Sequence, residues 1–226
     1  QEDDSYKIKG NKIFISAGNH EMTENVIHLV LARISGDPKG TKGISLFIVP
    51  KYRINDDGSV GESNDVKVIN VEHKMGIKGS STCTLGFGDN DNCIGFLVGE
   101  RMKGMREMFQ LMNEARLMVG VQGQATAAVA YEHALRYAKE RVQGEGKTID
   151  QHPDVRRMLL LQKAYVEGLR TLSLNTAGYI DRAEAEEDED KKKYYQGLAD
   201  LLTGVCKVAG SDFGFRSVEL SLQTLG

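Results

Sequence analysis

Two hydrophobic periods divide the chain. Up to about Val98, short runs rich in β-branched and aromatic residues alternate with turn residues: YKIKGNKIFIS, VIHLVLARI, ISLFIVPKY, DVKVINV and TCTLGFG. The stretches GDPKGTKG, NDDGSVGESND and GDNDN between them are rich in Gly, Asp and Asn, which supply positive φ or side-chain turn bonds. Together they predict an antiparallel strand module joined by tight, solvent-facing loops. Within GNKIFISAG, strand alternation puts Ile13 and Ile15 on one face, the core face, and Phe14 and Ser16 on the other.

From Gly99 the period becomes helical. Met105, Met108, Met112, Ala115 and Val119 follow one another at steps of 3, 4, 3 and 4 residues, one side of a helix from about Gly104 to Gln143. Such a helix is roughly 60 Å long. The small residues of GVQGQATAAVA inside it are costly in an isolated helix but suit a buried seam where neighbouring helices approach closely. A second helix is expected near HPDVRRMLLLQKAYVEGLRTLSLNTAGYI, with Pro153 in its first turn. A third includes KKKYYQGLADLLTGVCKVAGSDF, and a fourth starts around Gly214. The charge run Glu184 to Lys193 reads as a solvated helix extension or an inter-helix tip, with Glu187–Lys191, Asp188–Lys192 and Glu189–Lys193 as favourable i,i+4 pairs if helical.

Composition narrows the function classes. At 226 residues, two packed units are expected. With 29 Lys and Arg against 32 Asp and Glu, there is no electrostatic reason to propose nucleic acid or an anionic membrane as partner. Cys83, Cys93 and Cys206 are odd in number and contain no CxxC pair, so neither a disulfide framework nor a zinc site is expected, and a reducing compartment fits. No apolar run approaches the roughly 20 residues of a membrane span. The start QEDDSYKIKG lacks a signal-peptide pattern and reads as the middle of a polypeptide.

Six segments stand in one order: KIFISAG, GISLFIVPK, HKMGIKGSSTCTLGF, GFLVGERMKGMREMFQLMNEARLMVGVQG, ALRYAKERVQG and SLQTLG. With a β module followed by helices, this resembles the acyl-CoA dehydrogenase family, and within it the branch of 3-methylmercaptopropionyl-CoA dehydrogenase-like enzymes. The resemblance implies an α+β fold. An antiparallel β-barrel or sandwich-like middle domain, residues 1–98 here and incomplete at its N-terminus, precedes an antiparallel four-helix bundle, residues 99–226 and truncated. It also implies FAD as cofactor, an acyl-CoA substrate, an electron-transfer flavoprotein as electron acceptor and a homodimer or homotetramer. The implied setting is the bacterial cytoplasm, or the mitochondrial matrix in a eukaryote.

By the same resemblance, Phe14 packs on the flavin ring and the Ser16 hydroxyl bonds beside it, where many relatives have Trp and Thr. Without the resemblance, the pair reads as a core residue beside an edge hydroxyl. Arg116 and Asn113, with Met112 lining the same cleft, are implied to contact the CoA thioester. On its own, Arg116 reads as a surface salt bridge. Arg141, Gln223 and Gly226 match the family's contacts to the adenine end of FAD across a subunit interface. Gly144 departs from the pattern, since many relatives carry a Phe there.

No residue is assigned as catalytic. In most of the family the base is a Glu well beyond the Gln-x-x-Gly-Gly turn, and in two branches it directly precedes the long-helix Arg, a position held here by Ala115. Glu114 is one residue, about 100° of helix rotation, away from it. The 226-residue polypeptide alone is therefore expected to be inactive. The alternative to an enzyme is a non-catalytic binding or assembly module of the same fold. No metal site is expected.

Overall fold

The computed structural model describes residues 5–226. The chain divides into two compact units, Gln1–Phe109 and Gln110–Gly226. The described part of the first holds nine strands: β1 (Ser5–Lys7), β2 (Gly10–Ser16), β3 (Ile27–Arg33), β4 (Ile44–Pro50), β5 (Tyr52–Ile54), β6 (Val60–Ser63), β7 (Val66–Val71), β8 (Thr82–Phe87) and β9 (Ile94–Val98). They pair antiparallel into a four-stranded sheet β1-β9-β4-β3, a three-stranded sheet β2-β8-β7 and a β5-β6 ribbon. No ladder joins the larger sheets among the described residues, so the sandwich form is present and a closed barrel is not.

Inward residues of the two sheets share one core. Val30, Phe47 and Val49 come from the four-stranded sheet, and Val66, Leu85 and Phe87 from the three-stranded one, with Cys83 and Cys93 among them. Burying a side chain the size of Phe47 or Leu85 contributes about 1.5–3 kcal/mol. The Asn64 side chain is fully buried: Nδ2 donates to the carbonyls of Pro50 and Ile94, each at 2.8 Å, and Oδ1 accepts from the Ile94 amide at 2.9 Å. One amide thus satisfies backbone groups where β4, β9 and the start of β7 converge.

Sequence periodicity leaves out two strands. β6 lies inside NDDGSVGESND, read as loop, and β9 is too short and too uniform to alternate. Yet β9 is the centre of its sheet, between β1 and β4. Its Gly95 lies so close to the core that a Cβ there would come within 2.8 Å of the Ile8 side chain and 2.9 Å of Val49.

Three helices follow: α1 (Gly104–Glu140), α2 (Pro153–Ala185) and α3 (Glu189–Leu225). α1, at 37 residues, spans about 55 Å, and Pro153 opens α2 as expected. The charge run does not form one helix. α2 stops at Ala185, and Asp188 caps α3 by accepting from the amides of Asp190 and Lys191. Glu187 lies before the helix and Asp188 is its cap, and none of the three expected i,i+4 ion pairs is formed among the described residues.

The expected fourth helix is also corrected. α3 runs unbroken through Gly214, so the described residues hold three helices rather than four. The glycines there do not interrupt the helix; they allow close approach. A Cβ on Gly210 would lie 2.6 Å from the Gly120 carbonyl oxygen, and one on Gly214 would lie 2.9 Å from that of Gly123. The buried face of α3 is almost wholly small or hydroxylated: Ala199, Thr203, Cys206, Gly210, Gly214, Ser217, Ser221 and Thr224. Ser221 Oγ donates to the Ala130 carbonyl at 2.8 Å, tying α3 to α1 across the seam.

Candidate functional site

Phe14 is placed by a β-bulge. β2 pairs with β8 through Lys12↔Leu85 and Ile15↔Cys83, so Ile13 and Phe14 together oppose the single residue Thr84. The extra residue breaks the two-residue alternation, which corrects the expectation that Ile13 shares the core face with Ile15. Ile13 is 59% exposed, whereas Ile15 packs against the core. Phe14 takes φ 57° and is 67% exposed. A bulky aromatic in the left-handed region stores about 1–3 kcal/mol, tolerated where the surroundings fix it and function uses it. Here the bulge spends that strain on turning a large apolar ring outward. Ser16, two residues on, is exposed at the end of the strand.

Past it, the chain turns at Ala17, φ 50°, whose amide donates to the Ser81 carbonyl at 2.8 Å. Gly18 packs so tightly on β8 that a Cβ would lie 3.0 Å from that of Cys83. The ring and hydroxyl therefore stand on a strand end held against β8.

In the second unit, Met112, Asn113 and Arg116 lie on α1. Arg116 Nη1 donates to Asn113 Oδ1 at 3.2 Å, bringing together the pair that sequence placed one turn apart. Asn113 Nδ2 in turn donates to Asp200 Oδ1 on α3 at 3.1 Å. Asp200 lies 87 positions from Asn113, and no local spacing in the sequence pointed to it. Met112 is 37% exposed, and Glu114 and Ala115 are exposed beside it.

Arg141 follows the last residue of α1. Its amide continues the helix by donating to the Tyr137 carbonyl at 2.8 Å, and its own carbonyl accepts from Ile149 at 2.8 Å. The backbone is thus fixed from both directions while the guanidinium stays exposed. The chain beyond it turns back on itself through Gly144, Glu145 and Gly146, all at positive φ. Gly144 sits at φ 66°, a conformation that glycine adopts without a Cβ penalty. Gln223 lies exposed in the last turn of α3, and Gly226 follows it at φ 112°.

Phe14 and Ser16 belong to the first unit and the other six residues to the second. No group of three or more His, Cys, Asp or Glu among the described residues could hold a metal ion.

Residues 102–226, more than half of the chain, match the family model described as acyl-CoA dehydrogenase, C-terminal domain. The chain belongs to the acyl-CoA dehydrogenase family. It is 44% identical to a butyryl-CoA dehydrogenase of Syntrophomonas wolfei, over 98% of this chain and 38% of that protein. It is 41% identical to a 3-methylmercaptopropionyl-CoA dehydrogenase of Ruegeria pomeroyi, over 100% of this chain and 39% of that one. Among solved structures, an acyl-CoA dehydrogenase of Bacillus anthracis complexed with FAD superposes with TM-score 0.75 at 26% identity, over 100% of this chain and 36% of that one. The chain thus spans about two fifths of the length of the curated relatives it matches. The family match takes in Met112, Asn113, Arg116, Arg141, Gln223 and Gly226, while Phe14 and Ser16 lie before it.

Proposed function

We propose that this chain supplies FAD and acyl-CoA contacts of an acyl-CoA dehydrogenase longer than itself, acting on linear short- or medium-chain thioesters such as 3-methylmercaptopropionyl-CoA. The observation that carries the reading is Phe14. A flat apolar ring system fits an aromatic face held out of the core at the cost of backbone strain. Ser16 offers a hydroxyl beside it, and the exposed Arg141 guanidinium suits a pyrophosphate. Bound FAD would supply the acceptor for the hydride equivalent that leaves the β-carbon as the thioester becomes its 2,3-enoyl form.

The chain's own residues bind and orient. Arg116 pairs with the anionic CoA portion, Asn113 holds that guanidinium, and Met112 gives an apolar wall. None of them removes the α-proton. Ala115 has no ionisable group, and Glu114 points about 100° away from it around the helix, so the base is not assigned within this chain.

Arg141, Gln223 and Gly226 serve the FAD that stacks on Phe14 of another subunit, in a homodimer or homotetramer. Supporting association, α3 exposes to water Leu201, Val208, Phe215 and Leu222, an apolar stripe at seven-residue steps, with Val205 beside it. Electrons pass on to an electron-transfer flavoprotein. A cytoplasmic setting in a bacterium belongs to the same reading. No helix among the described residues is long and apolar enough to cross a membrane.

Two variants of the intact protein separate the roles. Arg141→Ala should lose FAD on gel filtration, and Arg116→Ala should keep FAD but bind CoA esters more weakly. Equal flavin loss in both would undo the assignment, and loss in neither would favour a non-catalytic assembly module.

A further inference from the structure

Asn113 stands between two opposite charges. Arg116 Nη1 donates to its Oδ1 at 3.2 Å, and its Nδ2 donates to Asp200 Oδ1 at 3.1 Å. Gln196 Nε2, one turn earlier on α3, donates to the same Asp200 oxygen at 2.9 Å. A guanidinium can only donate and a carboxylate can only accept. One orientation of the amide satisfies both neighbours, with nitrogen toward α3 and oxygen toward Arg116. Reversing the amide would set donor against donor on one side and acceptor against acceptor on the other.

We infer that Asp200 is a positioning residue for CoA recognition: it fixes the amide of Asn113 and, through it, the guanidinium of Arg116. The inference rests on the reading of Arg116 as a CoA contact. An arginine side chain has several free rotors, and ordering them opposes binding. A relay anchored on a second helix removes part of that freedom before the ligand arrives. It also makes recognition on α1 depend on α3. Gln196 keeps the Asp200 carboxylate from swinging away from Asn113.

A merely structural role predicts something different. Asp200 is exposed, and hydrogen bonds between exposed polar side chains add little to stability. Its replacement should therefore act on affinity and not on folding. In Asp200→Asn the partner of Asn113 can donate as well as accept, so the reversed amide is no longer opposed from α3 and only Arg116 disfavours it.

The test uses the FAD-loaded intact protein and free coenzyme A as probe, titrated calorimetrically, so that no turnover intervenes. Asp200→Asn should weaken coenzyme A binding about three- to tenfold, the equivalent of one hydrogen bond. FAD content should be unchanged and Tm within about 2 °C of wild type. Asp200→Glu, which keeps an acceptor, should recover part of the affinity. In the Arg116→Ala background, Asp200→Asn should have no further effect. Wild-type affinity in Asp200→Asn, with weakened binding in Arg116→Ala, would overturn the inference and leave the CoA reading standing. Full additivity of the two substitutions would also overturn it. Wild-type affinity in Arg116→Ala would defeat the CoA reading and the inference together. If Asp200→Asn lowers Tm and Asp200→Glu binds no better, Asp200 is structural and the inference fails.

Discussion

Gly210→Ala tests how the second unit is assembled. In an ordinary helix interior the change removes backbone freedom from the unfolded chain and stabilises by about 0.5–1 kcal/mol. Gly168, on α2, is such a position, because a Cβ there meets nothing within 4 Å. At Gly210 the new methyl would lie 2.6 Å from the Gly120 carbonyl oxygen and 2.7 Å from the Gly120 Cα. Ordinary contact between such atoms needs about 3.5 Å, so α1 and α3 must separate by about 1 Å. Both colliding atoms are backbone, and no rotamer change can relieve them. Overpacking of this kind costs about 1–3 kcal/mol, and separation also weakens neighbouring contacts such as Ser221 Oγ to Ala130. We expect Gly168→Ala to stabilise by somewhat under 1 kcal/mol and Gly210→Ala to destabilise by about 2 kcal/mol, a difference of about 3 kcal/mol. Denaturant unfolding followed by far-UV circular dichroism measures both. Equal stability of the two alanine variants would refute the close-contact seam.

Phe14→Gly should relieve the strained φ and raise the Tm of the FAD-free protein while weakening FAD binding, read by thermal melts and flavin titration; a fall in that Tm would show that the position is not strained. Asn64→Leu should cost about 3 kcal/mol in denaturant unfolding, since it strands the Ile94 amide and two buried carbonyls, and a loss below about 1 kcal/mol would show that water replaces the amide. His28 is buried, its Nε2 has no hydrogen-bond partner among the described residues, and burial, aided by Lys51 and His20, holds its pKa below the ordinary value of 6.5. The unfolded chain therefore binds the extra proton first, and the stability His28 contributes above pH 6.5 is lost as pH falls from there through its folded pKa. His28→Asn should flatten that slope in melts across the range, and an unchanged slope would place the sensitivity elsewhere.

Much of the fold was legible because it follows local rules. Gly, Asp and Asn punctuate most of the strands, and Pro153 opens α2. What escaped depends on tertiary neighbours. β9 carries no polar position to alternate with its apolar ones, even though its Phe96 faces outward, and its Gly95 makes sense only against Ile8 and Val49. Gly214 has the composition of a helix stop and is instead a contact surface, a distinction visible only once α1 lies against it. At the site, the aromatic and hydroxyl of β2 could be picked out by residue type and family order. The bulge that turns Phe14 outward could not, because strict alternation already gave it an outward face for a different reason and wrongly buried Ile13. Asn113 and Arg116 were one turn apart in sequence, whereas Asp200 joins them only through packing.

The most direct test of the functional account is an anaerobic titration of the FAD-loaded intact protein with short- and medium-chain acyl-CoAs, butyryl-CoA and 3-methylmercaptopropionyl-CoA among them, following flavin absorbance and thioester products together. The flavin should bleach with a matching yield of 2,3-enoyl-CoA, less in Phe14→Ala and only at higher thioester concentration in Arg116→Ala. A flavin that stays oxidised with every thioester, or a protein that takes up no FAD at all, would contradict it.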